Sequence, residues 1–520
     1  MNEIIAQLLP ALATIKASEF AEAIVPIGSN LEKDDWNGLL YGIEELAQNG
    51  RADLAEQLMS VCLQVAKDSE NDWAVRAVMY FLGHVYYLQE QFERAIGAYQ
   101  AVVKSSQHST DEEARFQASL ALSSISQAYL AQGYITQAIK AIKLAVREDE
   151  KLDWRKGVLG DRLQLAGMYL VQEEFVRAKE TLRQAMVEAR AIHDQFWIAL
   201  VSLRMATMQE DLENPGAALD YYQAAREALD AIEEPEDEDL YEKAYRDLFI
   251  GLGTAYQELG ASDQAIMAFS NAARLANVLE DKRSQAVVVT WLGSAQADAG
   301  RPELALRSYN AAERLARAVD YAGWIGTIYF LRASAWQALG RFDEAQTNIQ
   351  KAIQWHRTIA GENSPDEAGY LIKLGQISLE KGDLDGTVAY YQQALNILHE
   401  IGVSQMHRII YLRLGEAYWY RNEYLQAYEM LRKALDIYES RRQTISDLWE
   451  RVDFGPSRDL VYEYLVQVCL ALDMGIDAFQ AVEEGRMRVF REQLAVQPVM
   501  QEPVEMIDWP DIKSLVCLKS

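Results

Sequence analysis

The chain has 520 residues, half of them hydrophobic and a tenth aromatic, which excludes disorder and supplies a large core. Fifty basic residues against 78 acidic ones give a net charge of −28, which argues against nucleic acid and anionic membranes as partners. Three scattered cysteines, no apolar run near the roughly 18 residues of a membrane span, and a start without a basic leader point to a reduced, cytoplasmic setting.

From the N-terminus, residues 1–35 carry apolar spacing over Ile4–Ile24, interrupted by Pro10, and are expected to form capping helices. From residue 36 to 436 a motif recurs. It begins with a Leu-Gly-like pair, as at Leu82, Leu252, Leu292, Leu374 and Leu414, and continues to a small residue, a bulky one four later, and an alanine three after that. The small residues are Ala55, Ala95, Ala138, Ala178, Ala218, Ala265, Ala305, Ala345, Thr387, Ala427 and Ala478. The intervals between them are 40, 43, 40, 40, 47, 40, 40, 42, 40 and 51. Six identical intervals in ten imply one repeated unit.

Scarce proline and the absence of strand alternation make that unit an antiparallel helix pair. The anchor must be small where the second helix crosses the first. The bulky residue (Tyr99, Ile142, Leu182, Tyr222, Phe269, Tyr309, Ile349, Tyr391, Leu431) lies one turn on, over the same face. Gly133, Gly260, Gly300, Gly340 and Gly382 are placed to end the first helix in a left-handed residue, and Pro215 and Pro302 to open the second. The surplus residues in IEEPEDEDL (232–240), SQHSTDE (106–112) and GENSPDE (361–367) read as loops.

These units resemble the tetratricopeptide repeat (TPR), a two-helix unit, with a period about six residues longer. The resemblance covers residues 36–490 and implies an all-α fold, a right-handed α-solenoid of about eleven 40-residue TPR helix pairs. Residues 437–495 are expected to form an extended helix and a final pair. Glu439, Ser440, Arg441 and Arg442, then a loop at Asp453, Phe454, Gly455 and Pro456, then Leu460, Val461 and Tyr462, then Ala478, Phe479, Glu483, Glu484, Gly485, Arg486, Phe490 and Arg491 resemble the junction that joins TPR arrays to caspase-like CHAT protease domains. The Pro-containing tail 496–520 resembles the entry to such a domain. Its protease uses a His and a downstream Cys in a domain absent from these 520 residues; the expectation is either a chain truncated before that domain or a degenerate relative that kept only its sensor.

No catalytic constellation is read in the chain itself. Cys469 is expected to be a buried structural thiol, and Cys517 has no histidine after it. His84, His108, His193, His356, His399 and His407 fall at no metal-ligand spacing, and no phosphate-cradling glycine motif occurs. The expectation is a non-enzyme without metal or cofactor.

In TPR arrays the first helices line a groove. Projecting that face here gives Tyr80, His84 and Tyr87, then Gln127 beside Ser123, Gln257 beside Thr254, Gln337 beside Ser334, Gln376 beside Ile372 and Leu379, and Glu416 and Trp419 beside Leu412. This lining lacks the cations with which TPR clamps hold chaperone carboxylates; a near-neutral lining of amides and aromatics suits a protein or peptide ligand. The competing reading is that Tyr80, Tyr87 and Trp419 only pack between neighbouring helices. The expected function is a protein-interaction scaffold or sensor regulating an effector protease, attached or separate. The alternative is a free-standing adaptor or peptide receptor.

Overall fold

In a computed structural model, residues 3–107, 109–402, 406–444 and 457–483 are described. The 453–456 loop, residues 484–491, the 496–520 tail with Cys517, and His108 lie outside the described residues. Among those described there are helices and no strands.

The repeated unit is the antiparallel pair the spacing requires. Ten pairs run from Lys33–Gln48 with Ala52–Asp68 to His407–Tyr420 with Tyr424–Thr444, and an eleventh begins with Ser457–Ala471. The helices are mostly 17 residues, about 25 Å at 1.5 Å per residue, which accounts for the long period. Every anchor from Ala55 to Ala427 is fully buried, and Ala478 nearly so. The bulky residue four later is buried in each pair.

The packing also explains the glycine of the Leu-Gly pair, whose role the spacing did not reveal. It lies sixteen residues before the bulky residue, directly beneath it. A Cβ on Gly83 would stand 2.5 Å from the Tyr99 ring, one on Gly253 2.4 Å from Phe269, and one on Gly293 2.6 Å from Tyr309. Where the bulky residue is aliphatic, as at Ile142 and Ile349, the position beneath it is Ser126 or Ala333, both buried. The match is not complete: sixteen residues before Tyr222 stands Ala206, and before aliphatic Leu431 stands Gly415, where a Cβ would lie 2.6 Å from the leucine side chain.

The five predicted turn glycines take φ between 70° and 83°. At equivalent turns Glu90, Glu173, Glu213 and Asn422 adopt the same left-handed backbone without glycine, as do His193 and Asp320 between pairs. Pro215 and Pro302 open their helices. The three expected loops are shorter than their sequences suggested. Glu112, Glu238 and Pro365 already begin helices, capped by the side chains of Asp111, Asp237 and Ser364. Acidic residues that read as loop are first-turn residues, where they oppose the helix dipole.

The chain forms two compact units, Met1–Leu279 and Glu280–Ser520. At the start of the first, short helices Glu3–Leu8 and Ala17–Ile24 bury Ile5, Leu8, Phe20 and Ile24 in one cluster with Leu39, Leu40 and Ile43. In the second, Cys469 is fully buried, as expected of a structural thiol.

Candidate functional site

The polar groups on the first-helix faces are joined by bonds that cross from one pair to the next. In the first unit His84 Nδ1 lies 2.9 Å from Glu44 Oε1, forty positions back. The Ser123 hydroxyl donates to Asp161 Oδ1 at 2.6 Å, and the Thr254 hydroxyl to Glu210 Oε1 at 2.6 Å. In the second unit Gln337 Nε2 donates to Glu380 Oε1 at 2.7 Å, and the Tyr464 hydroxyl to Glu416 Oε1 at 2.8 Å. The sequence separations, 38 to 48, bracket the repeat period. Searching one period away from each polar residue would have found these partners.

The near-neutral lining inferred from sequence is thus corrected. Carboxyls of Glu44, Asp161, Glu210, Glu380 and Glu416 stand on these faces, and Arg413 joins them, its guanidinium donating to Glu416 Oε2 at 2.7 Å. Burial pushes Asp161 up to about 7, against a smaller pull from the Ser123 hydroxyl and a push from Asp149. Asp149, bonded by Ser119, is pushed up to about 6 by burial. Asp161 Oδ2 is buried with no hydrogen-bond partner. Burial likewise raises Glu210 and Asp211.

The predicted residues divide by their surroundings. Tyr80 packs against His84 and Tyr99, with ring centroids 4.6 and 5.7 Å away, and accepts a bond from Ser124. Tyr87 meets Phe92 at 5.5 Å and Trp419 meets Tyr424 at 5.1 Å. All three serve inter-helix packing. Glu416 is buried under Arg413 and Tyr464, and Gln337 is occupied by Glu380. Gln257 is half-buried. Gln127 is exposed and Gln376 half-buried, and neither amide bonds to any described residue.

Two of these residues share one recess. Between Pro365–Lys381 and His407–Tyr420, a trough of about 710 Å³ is lined by Gln376, Leu379, Glu380, Arg413, Glu416 and Tyr420. Tyr420 is a solvent-facing aromatic there, which the projection from sequence did not select. Among the described residues no cluster of His, Cys, Asp or Glu could hold a metal ion, and no helix is long and apolar enough to cross a membrane.

Residues 324–400 and 410–441 match family models described as the tetratricopeptide repeat. A comparison with curated proteins finds no match. Among solved structures, this array of helix pairs is similar to the apo form of the quorum sensor NprR from B. thuringiensis. That match is 11% identical with a TM-score of 0.50, covering 69% of this chain and 98% of that one. The apo form of RapI is 14% identical with a TM-score of 0.49, covering 70% and 97%. Aspartyl phosphate phosphatase F from Bacillus subtilis is 13% identical with a TM-score of 0.42, covering 71% and 94%. The likeness is one of fold.

Proposed function

We propose that this TPR array is a protein-interaction scaffold whose first-helix face binds a segment of a protein or a peptide, with the trough at Gln376 and Tyr420 as its anchor. One observation carries the reading: the Gln376 amide faces an open recess without a bonded neighbour, beside an exposed phenol ring. An amide both gives and accepts a hydrogen bond, so it can hold the N–H and C=O of a peptide backbone, while the ring covers an apolar side chain. The fold likeness to a quorum sensor is consistent with a sensing role. Peptides selected by display against the whole chain should protect residues 365–420 from hydrogen exchange, and Gln376→Ala or Tyr420→Ala should weaken them about tenfold. Selected peptides that leave this stretch unprotected and bind both variants equally would overturn the reading.

The finer part of the proposal is that binding regulates a caspase-like effector of the CHAT type. It is supported by the likeness of the junction residues, of which Leu460, Val461, Tyr462, Ala478, Phe479 and Glu483 lie in the last described pair. A bound peptide should then alter exchange within 457–483, and unchanged exchange there would remove the basis for effector control.

A further inference from the structure

A second recess, in the first unit, lies away from the first-helix face. It is walled by two second helices, Phe92–Ser106 and Ile135–Lys151, and floored by the first helix between them, Glu112–Ala131. Its volume is about 1110 Å³. Floor residues from Arg115 to Tyr129 span fourteen positions, about 21 Å along the axis. Leu122 and Ile125 give an apolar floor, and Leu144, 48% exposed, forms an apolar lip.

The charge at this trough is opposite in sign to that of the whole chain. Lys104, Arg115, Lys140 and Lys151 border it, against one carboxylate, Glu148. Glu148 is shared by Arg115 at 3.3 Å and Lys151 at 2.5 Å. Lys104 and Lys140 are exposed and form no ion pair among the described residues. In a chain of net charge −28 this is a local reversal of sign. At physiological salt, charges act over about 8 Å, so a ligand seated between these cations responds to them more than to the distant acidic surface.

We propose that this trough docks an acidic amphipathic helix from a partner protein. The apolar floor has no backbone groups to offer, so an extended strand would leave its own N–H and C=O groups unpaired there. A helix satisfies its backbone internally and presents an apolar stripe. About fourteen helical residues match the floor, with leucine-like side chains over Leu122 and Ile125 and glutamates toward Lys104 and Lys140. Nucleic acid and anionic vesicles are disfavoured because they extend past the trough onto acidic surface. This surface is separate from the trough at Gln376, and its docking does not depend on the proposed function.

The test uses the full chain and a fluorescein-labelled fifteen-residue helical peptide, leucine at every third or fourth position and glutamate elsewhere. Its counterpart with lysine replacing glutamate is the control. The acidic peptide should bind saturably by anisotropy and weaken as salt rises from about 0.05 to about 0.5 M. Lys104→Glu with Lys140→Glu should weaken it at least about tenfold, and Leu144→Asp similarly, with circular dichroism unchanged. Lys179→Glu, on an exposed face elsewhere, should leave binding unaltered. Equal binding of the lysine peptide, indifference to the charge reversals, or equal loss in Lys179→Glu would overturn the proposal. So would binding of anionic vesicles or single-stranded RNA, lost in the double variant, where the acidic peptide does not bind.

Discussion

Two buried polar regions built on the same repeat handle charge in opposite ways. Around Glu112–Ala131, Ile135–Lys151 and Arg155–Val171, carboxyls are buried beneath serine hydroxyls. Asp149 meets Ser119 and Asp161 meets Ser123, and burial pushes the two acids up to about 6 and about 7. Around Pro302–Ala318 and Ala322–Ala338, the acid, half-buried Glu313, has cations. Arg332 NH1 reaches Glu313 Oε2 at 2.7 Å and Asn310 at 2.8 Å, Arg332 Nε reaches Asn348 at 2.7 Å, and Arg317 and Tyr329 bond to the other Glu313 oxygen. Burial alone would raise Glu313, but bonds from Tyr329, Arg332 and Arg317 outweigh it and hold the carboxyl below its ordinary range. A repeat that conserves its apolar packing can thus stabilise either the protonated or the ionised acid, depending on its neighbours.

The largest effect should come from separating the paired charges. Arg332→Leu leaves half-buried Glu313 with one guanidinium gone and, allowing for partial solvent screening, should cost about 2–3 kcal/mol locally. Hydrogen exchange over 302–360 reads this loss better than one melting temperature, because a solenoid need not unfold as a unit. Unchanged protection there would show that the network contributes no net stability.

Next comes the pH response, where the regions should diverge in sign. The native state holds the Asp149 and Asp161 protons more tightly than the unfolded chain. Their stabilisation is complete below the ordinary aspartate value of 3.8 and is lost as pH rises through about 6 to 7. Glu313 behaves inversely: its contribution is present above the ordinary glutamate value and is lost as pH falls through its depressed one. From pH 5 to 8, protection factors over 112–171, corrected for the intrinsic rise of amide exchange with pH, should fall by the equivalent of about 2 kcal/mol, while those over 302–338 stay level. Asp161→Asn, which resembles the protonated acid, should remove the larger part of the change and leave the share of Asp149; an undiminished slope in this variant would assign it elsewhere.

Packing should not distinguish the regions. Ala138→Leu and Ala305→Leu each overfill a helix crossing and should cost about 1–3 kcal/mol by chemical denaturation. A clear inequality would break the equivalence of the two pairs. Smallest is the turn effect: His193→Gly and Asp320→Gly relieve left-handed backbone (φ 56° and 49°) and should each gain about 1 kcal/mol, measured as a rise in denaturation midpoint.

The helix pair was legible because its constraints recur at fixed local offsets: a small side chain at each crossing, a bulky one a turn later, glycine at a turn. Ala305 and Tyr309 announce their burial within five residues of sequence. The candidate site was less legible because its polar contacts are settled between pairs. Nothing near Gln337 shows that Glu380 occupies it, and nothing near Glu416 shows that Arg413 and Tyr464 cover it, until the stacking offset is known. Gln376 was selected by the same projection as Gln337, yet only Gln376 keeps its amide unbonded.

The rungs spaced one period apart also bear on how such a chain can change over generations. Judged by alanines and rings alone, the pairs are interchangeable bricks, and one could be excised or transposed without loss. The rungs forbid that freedom. Ser123 needs the acid of Asp161 in the following unit, and Thr254 needs Glu210 in the preceding one. Shuffling would strand a hydroxyl or a carboxyl in a dry seam, so each brick is keyed to its neighbour and the order of the row is itself encoded.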